Sequence, residues 1–239
     1  MRNFNTEAMV LKTYKVGERD LSVRLLTKEF GKVSAWVKGI RKIKNRYGAY
    51  LEIFSELEIG LYRLKTKNTN LITDIKVLSP NYNIRLDMDK FLAASFILKF
   101  VDSMTVDETG KEIYPLLTQC LELLSQRNIG FVVTWFVLKF LSISGYQLIF
   151  DKCSCCNIRL NKKVKSIFIS PDSGGIVCKL CESKNRAHGF TVSGEVFDLI
   201  KKIEKATAYD EIDNLYTMHS HLNKDLEYVT KRIVGFFTE

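Results

Sequence analysis

The sequence lacks the marks of a nucleotide-dependent enzyme. Neither a P-loop nor a GxGxxG run occurs in its 239 residues, so there is no glycine-rich cradle for a phosphate. Clustered carboxylates that would hold a catalytic metal are missing, as is an activated nucleophile with a positioned base. Asp87 and Asp89 are close, but they read as the start of a helix at Lys90, where negative charge is favourable. The histidines, His188, His219 and His221, form no pattern. These absences weigh against an enzyme. A membrane span is missing too. The most apolar stretch, Ile129 to Ile149, is broken by Lys139, Ser142, Ser144 and Gly145. A spanning helix wants about 20 nearly uncharged residues, so this stretch reads as a buried helix. The opening residues Met1 to Glu7 have no apolar core of the kind a secretory signal carries. Internal repeats and low-complexity tracts are absent as well.

What is present points to a folded, basic, two-part chain. A hydrophobic content of 46% supplies a real core, and a charged content of 26% argues against disorder. The net charge is +9, and it is unevenly spread. Residues 1–80 hold 16 Lys and Arg against 8 Asp and Glu, while residues 81–239 hold 20 against 19. Such asymmetry predicts that the first module meets a polyanion and the rest does something else.

Residues 1–80 read as strands. Val23 and Leu25 alternate with Ser22 and Arg24; Val33, Ala35 and Val37 alternate with Lys32, Ser34, Trp36 and Lys38; Leu57, Ile59 and Leu61 alternate with Glu56, Glu58 and Gly60. A period of two means a sheet with one buried face. Glu29 to Lys32 looks like a hairpin turn. With Ala8–Lys12 and Leu71–Leu78 the count reaches about five short strands, which suits a Greek-key barrel of the OB class. Ser79-Pro80 ends the last strand. Beyond it the period turns helical: a helix from Lys90, Ile113 to Leu124 with Pro115 in its first turn, Phe131 to Ile143, Glu195 to Lys205 opened by Ser193 or Gly194, and Asp225 to Phe237. The expected architecture is α+β: an OB-fold β-barrel over 1–80, then a helical domain over 81–239 with a cysteine-bearing insertion at 151–190.

Cys153-x-x-Cys156 and Cys178-x-x-Cys181 stand 21 residues apart. Each pair can form a tight knuckle presenting two thiolates, and four thiolates satisfy one tetrahedral Zn²⁺ with no open position. This predicts a structural zinc site and reduced thiols, hence a cytoplasmic protein. Asn157 follows the first knuckle, where a left-handed residue is often needed. Residues Ile167 to Ile169 and Ile176-Val177 supply a hairpin turned by Asp172 to Gly175. Cys155 competes with Cys153 for the site and is set aside on spacing alone. Cys120 falls mid-helix as a core residue.

Between the third and fourth strands lies a basic loop bounded by Gly39 and Gly48. Lys38, Arg41, Lys42, Lys44 and Arg46 put five cations into nine residues, with Tyr47 and Tyr50 beyond. Trp36 shares the polar face of its strand with Lys32 and Lys38. Basic groups interleaved with aromatic rings suit single-stranded nucleic acid, whose exposed bases stack on side chains. Lys12, Arg19 and Arg24 are further candidates. A solvated basic loop that binds nothing is the plain alternative.

Ordered motifs go further than composition. Ala8 to Lys12, then Val16-Gly17-Glu18-Arg19-Asp20, then Leu25 to Lys32, then Val37-Lys38-Gly39-Ile40-Arg41 resembles the opening of the bacterial RecO family of recombinational repair proteins. Gly145-Tyr146 through both cysteine pairs, with Ser170 to Gly175 before Cys178, is similar to its zinc-bearing members. The resemblance covers essentially the whole chain. It implies an OB-fold followed by a zinc-bearing helical domain, and it implies a mediator. Such a protein binds single- and double-stranded DNA, anneals complementary strands, and works with RecR to load RecA onto DNA coated by single-strand-binding protein, whose acidic, hydrophobic C-terminal tail it also binds. Cytoplasmic, nucleoid-associated placement follows. Ile43 and Asn45 stand where the family often has proline and serine, and Asn157 replaces the usual glycine. The competing reading is a zinc-ribbon adaptor that binds only proteins, its basic module meeting an acidic partner.

Overall fold

The computed structural model describes residues 3–40, 50–63, 70–105, 110–126, 128–160, 165–185, 188–206 and 209–238. Five strands form a closed barrel: β1 (Asn3–Val16), β2 (Asp20–Thr27), β3 (Gly31–Val37), β4 (Glu56–Arg63) and β5 (Asn70–Ser79). Their order around the barrel is β1-β2-β3-β5-β4, with β4 returning to β1. All pairs are antiparallel except β3 with β5, which closes the barrel in parallel. This is the OB-like barrel expected from the period of two.

Inward-facing residues fill it. Val10, Val23, Leu25, Ala35, Leu57, Ile59 and Leu61 are fully or almost fully buried in one cluster. β1 is longer than the sequence pattern indicated because it serves two partners. Its first part pairs with β4 and its second with β2. A bulge between Val10 and Lys12 shifts the register, so Val10 opposes Leu25 while Lys12 opposes Arg24. The extra residue reverses the alternation. Lys12, which shares parity with the buried Ala8 and Val10, therefore faces solvent. The β2–β3 turn is held by Thr27, whose hydroxyl accepts from Phe30 N at 3.1 Å and donates to Gly31 O at 2.7 Å.

The chain folds as two compact units, Met1–Gln126 and Arg127–Glu239. The periodicity changes at Pro80, but the first unit runs on through three helices: α1 (Tyr82–Arg85), α2 (Met88–Met104) and α3 (Gly110–Gln126). Asp87 caps α2, accepting from Asp89 N and Lys90 N. α3 begins three residues before the expected Ile113, which moves Pro115 out of the first turn. Its start needs glycine: a Cβ on Gly110 would lie 2.2 Å from the Gly31 Cα. Met9 and Leu26 point out of the barrel and are fully buried where α2 and α3 pack on β1 and β2.

The second unit is built on α4 (Ile129–Ile143), buried on most faces as its composition requires. Lys139, the one charge in that apolar run, donates its ammonium to Glu204 O at 2.8 Å, near the end of α6 (Gly194–Lys205). Ser193 caps α6. A small sheet β7-β6-β8 comprises Ser166–Ser170 (β6), Gly175–Val177 (β7) and Phe190–Ser193 (β8). The short helix α5 (Lys179–Asn185) lies between β7 and β8. Two helices follow α6: α7 (Tyr209–His219), which the sequence pattern did not reveal, and α8 (Asn223–Thr238). Among the described residues no helix is long and apolar enough to cross a membrane.

Candidate metal centre and basic barrel face

Four sulfurs converge. The Sγ atoms of Cys153, Cys156, Cys178 and Cys181 all lie within 4.8 Å of one another. Sulfurs about 2.3 Å from a common tetrahedral ion stand about 3.8 Å apart. The Cys156 and Cys178 sulfurs are 3.7 Å apart, so these side chains fit such an ion. Cys155 points to solvent and lies outside the cluster. His188 is exposed and sits 3.8 Å from Asp172, not at the sulfurs.

Backbone hydrogen bonds shape both knuckles. Cys153 N donates to Ile158 O and Asn157 N to Cys153 O, both at 2.9 Å. Asn157 takes a left-handed φ of 60°, the conformation asparagine tolerates best after glycine. Ser154 N donates to Ile176 O, tying the first knuckle to β7. In the second knuckle Cys178 N donates to the Cys153 sulfur at 3.3 Å. Burial raises the Cys153 thiol, but backbone N–H groups of Cys178, Cys156 and Cys155 outweigh it and bring the group down to about 6. Cys181 is pushed well above a free thiol by the neighbouring Cys178 and Cys156 side chains. Four thiols this close cannot all ionise without a cation among them. The cluster can hold a metal ion, and binding one would release protons.

The barrel divides the predicted DNA-contact residues into three groups. Lys12, Arg19, Trp36 and Lys38 are exposed. Asp20 accepts from Gly39 N at 2.8 Å, which holds the β1–β2 turn carrying Arg19 beside Lys38 at the end of β3. Arg24 and Lys32 are not open. Arg24 Nη1 donates to both Asp102 carboxylate oxygens at 3.0 and 3.1 Å, and Lys32 Nζ donates to Asp102 O at 2.7 Å. Arg41, Lys42, Lys44 and Arg46 lie outside the described residues.

One residue escaped the sequence pattern. Tyr14 opposes Ser22, which opposes Trp36, so both rings share one cross-strand row of the outer face. Two strand spacings separate their backbones by about 10 Å. The Lys12 ammonium sits 5.0 Å from the Tyr14 ring centre. Both rings are exposed, at 39% for Tyr14 and 37% for Trp36. The open cations thus flank the aromatic row, Lys12 on one side of it and Lys38 with Arg19 on the other. The bulge in β1 hid Tyr14, because parity counted from Val10 places it inside.

Comparison with known proteins matches two successive parts of the chain. A family model described as recombination protein O N terminal matches residues 1–81, and one described as recombination protein O C terminal matches residues 85–230. Relatives carrying the name DNA repair protein RecO include one from a Nocardioides species, 30% identical over 183 residues and covering 74% of each chain. Another, from Dehalococcoides mccartyi, is 26% identical over 241 residues, covering 99% of this chain and 91% of its own. A third, from a Thermoanaerobacter species, is 26% identical over 250 residues and covers 98% of both.

Proposed function

The chain belongs to the RecO family of DNA repair proteins, and on that footing we infer that it is a recombination mediator that acts by binding DNA and catalyses no bond chemistry. It binds single- and double-stranded DNA and anneals complementary strands. With RecR it helps load RecA onto DNA coated by single-strand-binding protein, whose C-terminal tail it engages. Its place is the cytoplasm, at the nucleoid. The observation that carries the reading is the outer barrel face, where Lys12, Arg19 and Lys38 stand open beside the exposed rings of Tyr14 and Trp36. Cations there neutralise phosphates and release counterions, and the rings stack on unpaired bases. Two strands held close with their repulsion reduced can then pair.

Zinc is the ion we assign to Cys153, Cys156, Cys178 and Cys181. An all-thiolate set suits it, and the four sulfurs leave no position for a reacting water. When bound, the ion supplies a cross-link between the knuckles. The chain's own residues do the rest: the Asn157 turn and the Cys178 amide orient the sulfurs.

Fluorescence anisotropy with a labelled single-stranded oligonucleotide across a salt series tests the function. The native chain is compared with a Lys38→Ala, Arg41→Ala, Lys42→Ala, Lys44→Ala variant. The expected result is loss of affinity together with a shallower salt dependence, by about 0.7 in log–log slope per phosphate contact removed. A native protein that binds no DNA at low salt overturns the reading and leaves the protein-only adaptor.

A further inference from the structure

Beyond the barrel, positive charge is concentrated in one place. Residues 152–184 hold seven Lys and Arg against two Asp and Glu, whereas the remainder of 81–239 holds 13 against 17. Four of the seven, Lys152, Arg159, Lys179 and Lys184, flank the cysteine pairs in a region that is otherwise acidic. Lys152 and Arg159 oppose each other in a β-bridge at the base of the first knuckle. Lys179 lies between Cys178 and Cys181, and Lys184 follows on the same short helix. Arg159, Lys179 and Lys184 are exposed.

None of these cations forms an ion pair among the described residues, unlike Arg24 and Lys32 of the barrel, which share Asp102, Lys28, which takes Glu7, and Lys76, which takes Glu58. Like charges gathered on one small module repel each other, and a polyanion relieves that repulsion. Two apolar side chains stand among them: Ile158 just past the first knuckle is 57% exposed, and Leu180 inside the second is 70% exposed. Water around such side chains is displaced favourably by an apolar face. A single strand offers both phosphates and unstacked bases, whereas a duplex hides its base faces.

We propose that the cysteine knuckles are a second DNA contact, in which Arg159, Lys179 and Lys184 lie along the phosphates of a single strand and Ile158 and Leu180 press on its bases. The proposal rests on the DNA-binding reading and extends it. One chain then carries two strand contacts and can hold two strands at once.

The test is anisotropy on the zinc-loaded full chain with labelled oligothymidine across a salt series. It compares the native protein, an Arg159→Ala, Lys179→Ala, Lys184→Ala variant with verified zinc content, and a Lys12→Ala, Trp36→Ala, Lys38→Ala barrel variant. The knuckle variant is expected to lose about 2 in log–log slope, at about 0.7 per contact, and to anneal strands more slowly. If it keeps the native slope, affinity and annealing rate while the barrel variant loses them, the knuckle contact is overturned and the barrel reading stands. A native protein that binds no DNA overturns both. A knuckle variant that keeps DNA but releases a polyglutamate peptide overturns the proposal in favour of an acidic protein partner. Should the triple variant fail to hold zinc, Lys184→Glu alone, three residues beyond the last cysteine, takes its place. A shallower slope supports the contact, and an unchanged slope overturns it.

Discussion

The barrel closes around twelve buried apolar side chains, Leu25, Leu57 and Ile59 among them, and each strand is paired on both sides. The cysteine segment has three short strands in its sheet and turns four sulfurs onto one point. The first is held by area removed from water; the second buries Ile169, Ile176 and Val177 and, with the proposed zinc bound, is cross-linked through its four sulfurs. Two small β-structures in one chain thus have different points of failure.

Metal removal separates them most strongly. Structural zinc in small modules contributes about 10–16 kcal/mol of apparent binding free energy, which is folding free energy for the segment. Chelation, or Cys156→Ser with Cys181→Ser, is expected to abolish amide protection at Phe168 and Ile176 while leaving Leu25 and Ile59 protected. Hydrogen exchange followed by mass spectrometry reads both, and collapse of the barrel as well would erase the contrast.

The reverse break is Gly110→Ala. The new methyl would sit 2.2 Å from the Gly31 Cα, backbone against backbone, with no side-chain tip to yield. Overpacking of this kind costs about 1–3 kcal/mol. Denaturant unfolding should show the first unit weakened while zinc content stays at one equivalent.

A milder break is Tyr114→Phe. The Tyr114 hydroxyl donates to Glu56 Oε1 at 2.7 Å, joining α3 to β4. A hydrogen bond to a charged group contributes about 1.5–3 kcal/mol, reduced here by partial exposure. Burial and the Glu56 carboxylate raise the phenol above its usual 10.0. A group raised on folding contributes fully below its unfolded value, so this stability is complete at neutral pH and is lost as alkaline pH passes through the folded value. The phenylalanine variant should be weaker at pH 7 and should lack that alkaline loss, as thermal melts across pH would show.

The smallest effect sharpens the comparison between open and closed cations. Asp102 neutralises Arg24 and Lys32, which the knuckle cations escape. Asp102→Asn keeps the side chain's size and removes its charge. An exposed or half-exposed pair is worth up to about 1 kcal/mol, so DNA affinity should rise by about two- to fivefold at low salt. An unchanged Kd would mean that DNA does not reach the Arg24 end of the face.

Much of this was legible in local pattern. The strand alternation at Val23, Val33 and Leu57, the caps at Asp87 and Ser193, and the two cysteine pairs depend on neighbours a few residues away. Spacing also chose Cys153 over Cys155, and the sulfur cluster agrees. What stayed hidden depends on distant partners. Nothing near Arg24 announces Asp102, 78 residues on, and nothing near Tyr114 announces Glu56. The need for glycine at the start of α3 comes from Gly31, at the β2–β3 turn.

By itself, then, the sequence determined the barrel class, the helical remainder, the four cysteines that cluster and the basic character of the first module, because periodicity, capping and cysteine spacing act over a few residues. Only the tertiary structure decided which cations remain open, on which side of the barrel Lys12 and Tyr14 emerge, and how far the first compact unit extends. A bulge is settled by the two strands it must pair with, and a charge is left free or neutralised by whatever the fold brings opposite to it.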